Sequence, residues 1–486
     1  MTFFQRAKAA GKILFGNAYA GIRNTRRRAH RYTRNLGAEH REFDTGDREK
    51  MASVLLDFRR NNPTIKAISR LRRADVVGAG IRPQAVTGDE ELDKQLEALW
   101  EEYAQNPEVT GTMTVVEVQK QLAEMPLWYG DGGLMLARGG QVQVIEGLRI
   151  GEPSNAFNIS TPQEEGRAQG VEFTRSGRPV AYHIGNREDG SLKNLVRVPV
   201  RNFAFYQKAM RPGQLRGVSE LASIINLVQD LDEYKNVEML AAKIAASMAV
   251  AVTREDAHEF EIANRSTDEG EDRLQSFEPG SFNYLNPGED IKIISSGGRP
   301  NTQAIAYIEH SLREIGSAIG IPLEFLTQSI GGSSFSASQG VVLQYQQTVE
   351  EEQRALEPVL NKWWKWKVVE WLKGGVVEAP ANSRPFRVRW RPPAFRWINK
   401  AAQVQADRFY VQLGAMSLDD VTAQFGKDAA EVMERKAKNI AQAKEIAAQY
   451  GLDDWRELFN DMQTTGGVDI LALRNQGKDD DSAEVA

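Results

Sequence analysis

Three acidic residues, Asp230, Asp232 and Glu233, come closest in this sequence to a catalytic or metal-binding cluster. Closely spaced carboxylates can hold a metal ion or act as general acid and base. Asp230 and Asp232 are two residues apart, and in a helix that spacing puts them on different faces. The spacing therefore favours a solvated helix face over a shared metal site.

A second candidate is the Gly/Ser-rich segment of residues 331–338, GGSSFSAS. It lacks the Lys-Ser/Thr pair of a phosphate-binding P-loop, and it does not match the Gly-x-Ser-x-Gly elbow of hydrolases. His258-Glu259 is likewise not followed by the second histidine that a zinc protease needs. We therefore expect no catalytic residue, no cofactor and no metal, and the segment is either a flexible linker or a mobile binding loop.

Basic residues are concentrated at the start of the chain. Up to Leu36 there are nine Lys/Arg and no Asp or Glu, including Arg26, Arg27, Arg28, Arg31 and Arg34. The far end has the opposite sign, with Asp479, Asp480, Asp481 and Glu484. Both ends are typical of solvated, disordered termini. The alternative for the basic arm is contact with nucleic acid or with an acidic partner.

Composition limits the classes of protein that this chain can be. Its 486 residues predict two to four domains, and the absence of cysteine excludes disulfides. The net charge of −5 argues against binding of DNA over the whole surface, so any contact with DNA is expected to be local. The longest apolar run, residues 244–252, is about half of what a bilayer span requires, so no membrane segment is expected.

The elements that must position these residues follow from hydrophobic periodicity. Helices are predicted over residues 44–75 with a break at Pro63, over 90–103, over 115–128 and from about 427 to 451, with a short one over 453–462. Alternating apolar residues predict a β-rich block over about 130–206 and a strand over 385–391. Ser417 with Asp420 indicates a helix-capping box. The arginines at 387, 389 and 391 are expected on one strand face. Contact with DNA is one interpretation, and pairing with acids of a neighbouring subunit is the favoured one.

Two long helices bracket a β-like, loop-rich excursion over residues 249–300. The first is predicted from Gly217 to about Met248, with an apolar stripe that includes Val237, and a second stripe that includes Leu240 could face a neighbouring subunit. The second starts at Asn301 or Thr302 and is stopped by Pro322. A third long helix follows the Gly/Ser segment to about Leu372. Its tryptophans at 363, 364, 366 and 371 are expected in the core or an interface.

Five segments together resemble the lambda-type family of phage portal proteins. The most specific is RPGQLRGVSELASIINLVQDLDEYKNVEMLAAKIAAS over residues 211–247. The others, in order, are NNPTIKAISRLRRADVVGAGIRPQ (61–84), GVEFTRSGRPVAYHI (170–184), GIPLEFLTQSIGGSSFSASQGVVLQY (320–345) and EPVLNKWW (357–364). The resemblance covers about residues 60–372.

The resemblance implies an α+β, mainly helical fold of portal type, assembled as a ring of twelve subunits. The implied parts are a basic arm (1–40), a wing (41–218), a first stem helix (219–248), a clip (249–300), a second stem helix (301–320), a tunnel-loop region (321–338), a long wing helix and strand (339–398), a helical crown (399–470) and an acidic tail (471–486). Of these, the arm and the tail are expected to be disordered.

The function implied by the resemblance is a channel for DNA at one capsid vertex, with no enzymatic activity of its own. The expected partners are double-stranded DNA without sequence preference, the terminase large subunit, the major capsid and scaffold proteins, and a head–tail adaptor. The location is the virion, with the host cytoplasm during assembly. The tunnel loop would face DNA with Gly331, Gly332, Ser333, Ser334 and Phe335, and the three acids at 230, 232 and 233 would repel phosphate in the channel. A nuclease or packaging NTPase is the competing hypothesis.

Overall fold

The fold is described from a computed structural model of the chain. It describes residues 43, 45–152, 166–188, 190–246, 249–254, 289–294, 302–329, 335–393, 400–425, 429–452 and 454–455. The chain divides into two compact units, one of residues 1–71 and 121–348 and one of residues 72–120 and 349–486. Helices dominate, and small antiparallel sheets accompany them, which confirms the predicted α+β, mainly helical class.

The first unit begins with two consecutive helices, α1 (Thr45–Asn61) and α2 (Pro63–Leu71). The predicted break at Pro63 is confirmed. Proline suits the first position of a helix because it has no N–H to leave unpaired there. Asn62 caps α2, since the backbone N–H of Ile65 donates to Asn62 Oδ1 at 2.9 Å.

The predicted β-rich block is also confirmed, and it forms two sheets of the first unit. The first strand in chain order, β1 (Arg82–Ala85), belongs to the second unit. The strands of the block are β2 (Asp131–Leu136), β3 (Val142–Glu146), β4 (Arg167–Ala168), β5 (Val171–Phe173), β6 (Pro179–Glu188), β7 (Ser191–Pro199) and β8 (Phe203–Gln207). One sheet has the order β3-β2-β8 and the other β4-β5-β6-β7. Residues of both sheets, including Ile145, Val171, Tyr182 and Phe203, share one buried core.

The rest of the first unit contains the pair of long helices that the sequence predicts. These are α5 (Ile225–Ala246) and α6 (Thr302–Ala318), with strands β9 (Ala249–Arg254) and β10 (Glu289–Ile294) between them and the short helix α7 (Leu323–Thr327) after them. The predicted start of the first helix at Gly217 is wrong. Residues 217–221 are irregular, and a 3₁₀ turn over Ala222–Ile224 precedes α5.

Two helices contribute residues to both units, α4 (Val115–Trp128) and α8 (Phe335–Lys373). The second unit also contains a π-helical segment (Arg72–Val77), β1 (Arg82–Ala85), α3 (Glu90–Tyr103) and β11 (Val388–Arg391). The sequence did not predict β1, because Gly78, Gly80 and Pro83 indicated only a chain break. It forms through antiparallel pairing with β11, a contact between residues about 300 positions apart.

Tryptophans form the core of the second unit. The ring centroid of Trp100 lies 5.4 Å from that of Trp363 and 5.3 Å from that of Trp364, and Trp363 Nε1 donates to the Tyr103 hydroxyl at 3.0 Å. Trp363, Trp364 and Trp371 are buried. The expectation of a core role for these residues is therefore confirmed, and they do not present rings for base stacking.

The arginines of β11 have partners within their own chain. The guanidinium of Arg389 lies 3.0 Å from the Asp419 carboxylate, and that of Arg391 lies 3.2 Å from it. Asp419 follows β11 in the chain and belongs to the same unit. The sequence did not predict this pairing within the chain, and the expected pairing with acids of a neighbouring subunit stays a prediction. Sequence separation concealed the pair, because the intervening chain gives no local signal that brings Asp419 back to the strand.

The C-terminal helices of the second unit are α9 (Lys400–Gln412), α10 (Leu418–Gln424) and α11 (Ala429–Gln449). The capping box is confirmed by two reciprocal hydrogen bonds. The Ser417 backbone N–H donates to the Asp420 carboxylate, and the Asp420 backbone N–H donates to the Ser417 hydroxyl oxygen. The predicted helix over 427–451 is confirmed as α11. The short helix predicted over 453–462 lies almost entirely outside the described residues.

The outer face of the four-stranded sheet carries a pH-sensitive cross-strand group. Arg197 donates to both carboxylate oxygens of Glu172 at 2.9–3.0 Å, and His183 Nε2 lies 2.7 Å from the same carboxylate. Hydrogen bonds from Arg197 hold the pKa of Glu172 below its ordinary value, against partial burial, which raises it. The contribution of ionised Glu172 to stability is therefore present at neutral pH and lost as pH falls through this lowered pKa.

We predict that Glu172→Gln lowers the melting temperature at pH 7, and that the difference from the unsubstituted chain shrinks as pH falls below about 4, near the ordinary glutamate pKa. Thermal unfolding by circular dichroism between pH 3 and 7 measures this difference. Glu188→Gln is the control, because Glu188 pairs with Lys193 at 3.5 Å on an exposed surface and such pairs contribute at most about 1 kcal/mol. A difference that stays constant with pH would contradict the assignment.

Candidate subunit-contact and DNA-facing site

The helices α5 and α6 pack against each other along one stripe. Ile224, Val228 and Leu231 are buried on the α5 side, and Ile315 is buried on the α6 side. The rings of Tyr234 and Tyr307 meet edge to face with centroids 4.6 Å apart. Strands β9 and β10 pair antiparallel, with Ala249 opposite Ile294 at one end and Arg254 opposite Glu289 at the other. The chain therefore leaves α5 and returns toward α6 through one paired ribbon.

Beyond Leu231 the side chains of the first helix are less buried. Between residues 232 and 243 no side chain of α5 is buried, and Val237, Met239 and Leu240 are more than half exposed. The assignment of Val237 to the intrachain stripe is wrong, because its side chain is 58% exposed. On α6, Ile305 is 60% exposed and Tyr307 is 43% exposed. The described residues therefore leave apolar side chains of α5 and α6 uncovered.

The three acids differ in their surroundings. Asp230 and Glu233 are exposed, while Asp232 is half-buried and accepts a hydrogen bond from Asn62 Nδ2 at 2.6 Å. No group of three or more His, Asp or Glu side chains within the described part of the chain has a metal-binding arrangement. The acids therefore do not act as one cluster. Two face solvent and one belongs to the packing of the helix.

The Gly/Ser segment is shorter than the sequence predicts. Helix α8 begins at Phe335, so residues 335–338 are helical and Phe335 is the first residue of the helix, not part of a loop. Residues 336–338 are Ser, Ala and Ser, with no Gly or Pro that would stop a helix. Alanine also has the highest helix propensity. Gly331, Gly332, Ser333 and Ser334 lie outside the described residues. The basic arm with Arg26, Arg27, Arg28, Arg31 and Arg34 does so as well.

The chain on both sides of this segment is held in place. Gln328 ends α7 in the left-handed conformation with φ 57°, and its N–H donates to the Glu324 carbonyl. The ring of Phe325 lies 4.4 Å, centroid to centroid, from that of Tyr345 in α8. Gly320 has φ +72°, and a Cβ there would press on Thr348. The described residues on either side of 330–334 are therefore packed.

A buried ion pair determines how the chain enters α5. Arg216 is 2% exposed and Asp131 is fully buried. The Arg216 guanidinium donates to both Asp131 oxygens at 2.7–2.8 Å and to the carbonyls of Gly147, Ile150 and Gln169. Because the backbone N–H of Gly217 also donates to Asp131, residues 216–217 are fixed against β2 and cannot join the helix. This explains why α5 starts later than predicted.

A second buried arginine completes this network. Arg48 of α1 donates to the carbonyl of Gly217 and, at 3.3 Å, to the Gln169 side chain. Gly217 and Gly130 are in such close backbone contact that a Cβ at Gly217 would overlap the Gly130 carbonyl. Sequence reasoning missed Arg48, Asp131 and Arg216 as a unit. The available signals were the glycines beside Asp131 and Arg216, since glycine marks close backbone approach.

No helix among the described residues combines the length and the apolar character needed to cross a membrane.

Comparison with known proteins identifies the family. Residues 25–353 match the model of the phage portal protein, lambda family. Because the match covers more than half of the 486 residues, the chain belongs to a family of phage structural proteins, and that family is the lambda family of phage portal proteins.

A probable portal protein of Halomonas phage phiHAP-1 is 22% identical over 414 residues, which is 79% of each chain. Among solved structures, the neck of an empty gene transfer agent particle, computed with C6 symmetry, matches at a TM-score of 0.47 and 16% identity, covering 78% of this chain and 93% of that one. An HK97-family phage portal protein from Corynebacterium diphtheriae matches at a TM-score of 0.32 and 11% identity. The match covers 62% of this chain and 90% of that one.

We predict that Asp131→Asn destabilises the chain by about 3–5 kcal/mol, because it leaves the Arg216 charge buried without its counter-charge. Chemical denaturation followed by fluorescence measures the loss. Glu431→Gln is the matched control, since Glu431 pairs with Arg435 on an exposed helix surface and its loss is expected to cost at most about 1 kcal/mol. Equal effects of the two substitutions would mean that the buried network is not a major support of the fold.

Proposed function

We propose that the chain forms the portal ring at one capsid vertex, as a ring of twelve copies through which double-stranded DNA enters during packaging, is retained, and leaves at ejection. The observation that carries this proposal is the family match over residues 25–353. The ring belongs to the virion and assembles in the host cytoplasm.

The exposed face of the helix pair supports a ring. Val237 and Leu240 of α5 are three residues apart and lie on one side of the helix, away from the stripe of Val228 and Leu231. A subunit in a ring offers one surface to each neighbour, so it needs apolar area that its own chain leaves uncovered. We propose that this face of α5, with Ile305 of α6, contacts the adjacent subunit as the stem of the channel.

The parts of the portal follow the element boundaries. We propose a wing from 41 to the loop at 221, stem helices over α5 and α6, a clip over 249–300 that begins and ends with the β9–β10 ribbon, and a crown formed by α9–α11 within 399–470. The terminase large subunit would dock at the clip and supply ATP-driven transport. Capsid and scaffold proteins and a head–tail adaptor would bind the outside of the ring.

DNA contact is proposed to be loose and without sequence preference. Asp230 and Glu233 are exposed acids on α5, and acids that face a channel repel phosphate and let a duplex slide. The loop residues Gly331, Gly332, Ser333 and Ser334, with Phe335 at the start of α8, would approach the duplex. In this proposal the chain is a passive conduit and has no enzymatic activity.

We predict that the purified chain forms rings with a central hole in negative-stain images, and that Leu240→Asp shifts it to single folded subunits. A charge placed in an apolar contact loses the burial energy and is desolvated, whereas an exposed side chain tolerates it. Val109→Asp is the control, because it places the same charge on another exposed apolar residue, outside α5 and α6.

Two results would contradict the proposal. The first is a chain that stays a compact single subunit both in solution and in assembling particles. The second is ATP hydrolysis or nuclease activity that one carboxylate substitution abolishes, which would favour the enzyme hypothesis.

A further inference from the structure

Asn62 lies at the junction of α1 and α2 and uses all its polar groups. Its backbone N–H donates to the Phe58 carbonyl at 2.8 Å, and its carbonyl accepts from Lys66 at 3.0 Å. Its side-chain oxygen caps α2 at Ile65, and its side-chain nitrogen donates to Asp232 at 2.6 Å. The residue is 4% exposed. The backbone and side chain of this one residue therefore connect the end of α1, the start of α2 and the middle of α5.

Helix α2 also has a second contact. It packs against α7, the short helix that ends just before residues 330–334. The buried residues of α2 are Ile65, Ile68, Ser69 and Leu71, and Leu326 is buried in α7. The hydrogen bond between Asn62 and Asp232 thus fixes to α5 the same helix that supports the base of the Gly/Ser loop.

We infer that Asn62, Asp232 and α2 form a strut between the first stem helix and the base of the proposed DNA-facing loop, which makes Asp232 a positioning residue. Its carboxylate points to Asn62 of its own chain, unlike those of Asp230 and Glu233, which are exposed. The relation of the strut to DNA rests on the proposed function, while the strut itself rests on contacts within the first unit. The strut connects α5 to α7, which ends just before residues 330–334.

The test exchanges the two side chains. Asn62→Asp keeps the helix cap, because aspartate caps as well as asparagine, but it places two carboxylates face to face. We expect amide hydrogen exchange over residues 62–71 and 323–329 to accelerate on the order of tenfold, the cost of losing a hydrogen bond to a charged group. Adding Asp232→Asn restores a donor and an acceptor in exchanged order, and exchange rates should return to those of the unsubstituted chain.

The matched control is Asp230→Asn in the same Asn62→Asp background, which removes an equal charge two residues away and should not restore the rates. The strut is overturned if residues 323–329 do not respond to Asn62→Asp, or if Asp230→Asn restores them as well as Asp232→Asn does. These measurements use the full chain and require no DNA, so they stand even if ring formation is absent.

A second measurement separates positioning from contact with DNA. The double variant Asn62→Asp with Asp232→Asn, here called the exchanged pair, has no carboxylate at position 232 but keeps the hydrogen bond. In a phage complementation assay, it should yield DNA-filled particles at the level of the unsubstituted chain, whereas Asn62→Asp alone should reduce the yield. A reduced yield for the exchanged pair despite restored exchange rates would show that the Asp232 charge acts on DNA directly, and would overturn the assignment.

Discussion

The ion pair between Arg216 and Asp131 is the constraint on which the first unit depends. A buried guanidinium is tolerated only when its charge is neutralised and its donors are satisfied. Here one carboxylate and three backbone carbonyls meet that requirement, and they come from β2, from the turn after β3, and from the chain around Gln169. The sheets of the β block and the entry to α5 are therefore fixed relative to each other by a single side chain.

This arrangement gives the long helix a rigid start and leaves its far half exposed. Val228 and Leu231 are buried within the chain, whereas no side chain from 232 to 243 is fully buried, although Asp232 and Tyr234 keep contacts with Asn62 and Tyr307. Such a division suits the proposed ring, because the rigid start sets the direction of a surface that the described residues leave uncovered. The acids Asp230, Asp232 and Glu233 lie at this transition, which explains why they differ in burial although they are neighbours in sequence.

The order of helices and strands was predictable where periodicity is local. The break at Pro63, the hairpins of the β block, the two long helices and the capping box at Ser417 and Asp420 depend on residues within a few positions of one another. The errors fall where distant residues compete with local preference. Arg216 holds the chain in an irregular path against a helical pattern, β1 exists only through pairing with β11, and Arg389 finds Asp419 in its own chain.

The sequence by itself determined the class of fold, the succession of elements and, through five segments in the right order, the family, because these are carried by local spacing and residue type. Only the tertiary structure decided that Asp232 belongs with Asn62, that Phe335 starts a helix, and that Arg48, Asp131 and Arg216 form one network. The physical reason is that burial and pairing depend on which distant segments meet. A sequence pattern records which groups are available but not which of them become partners.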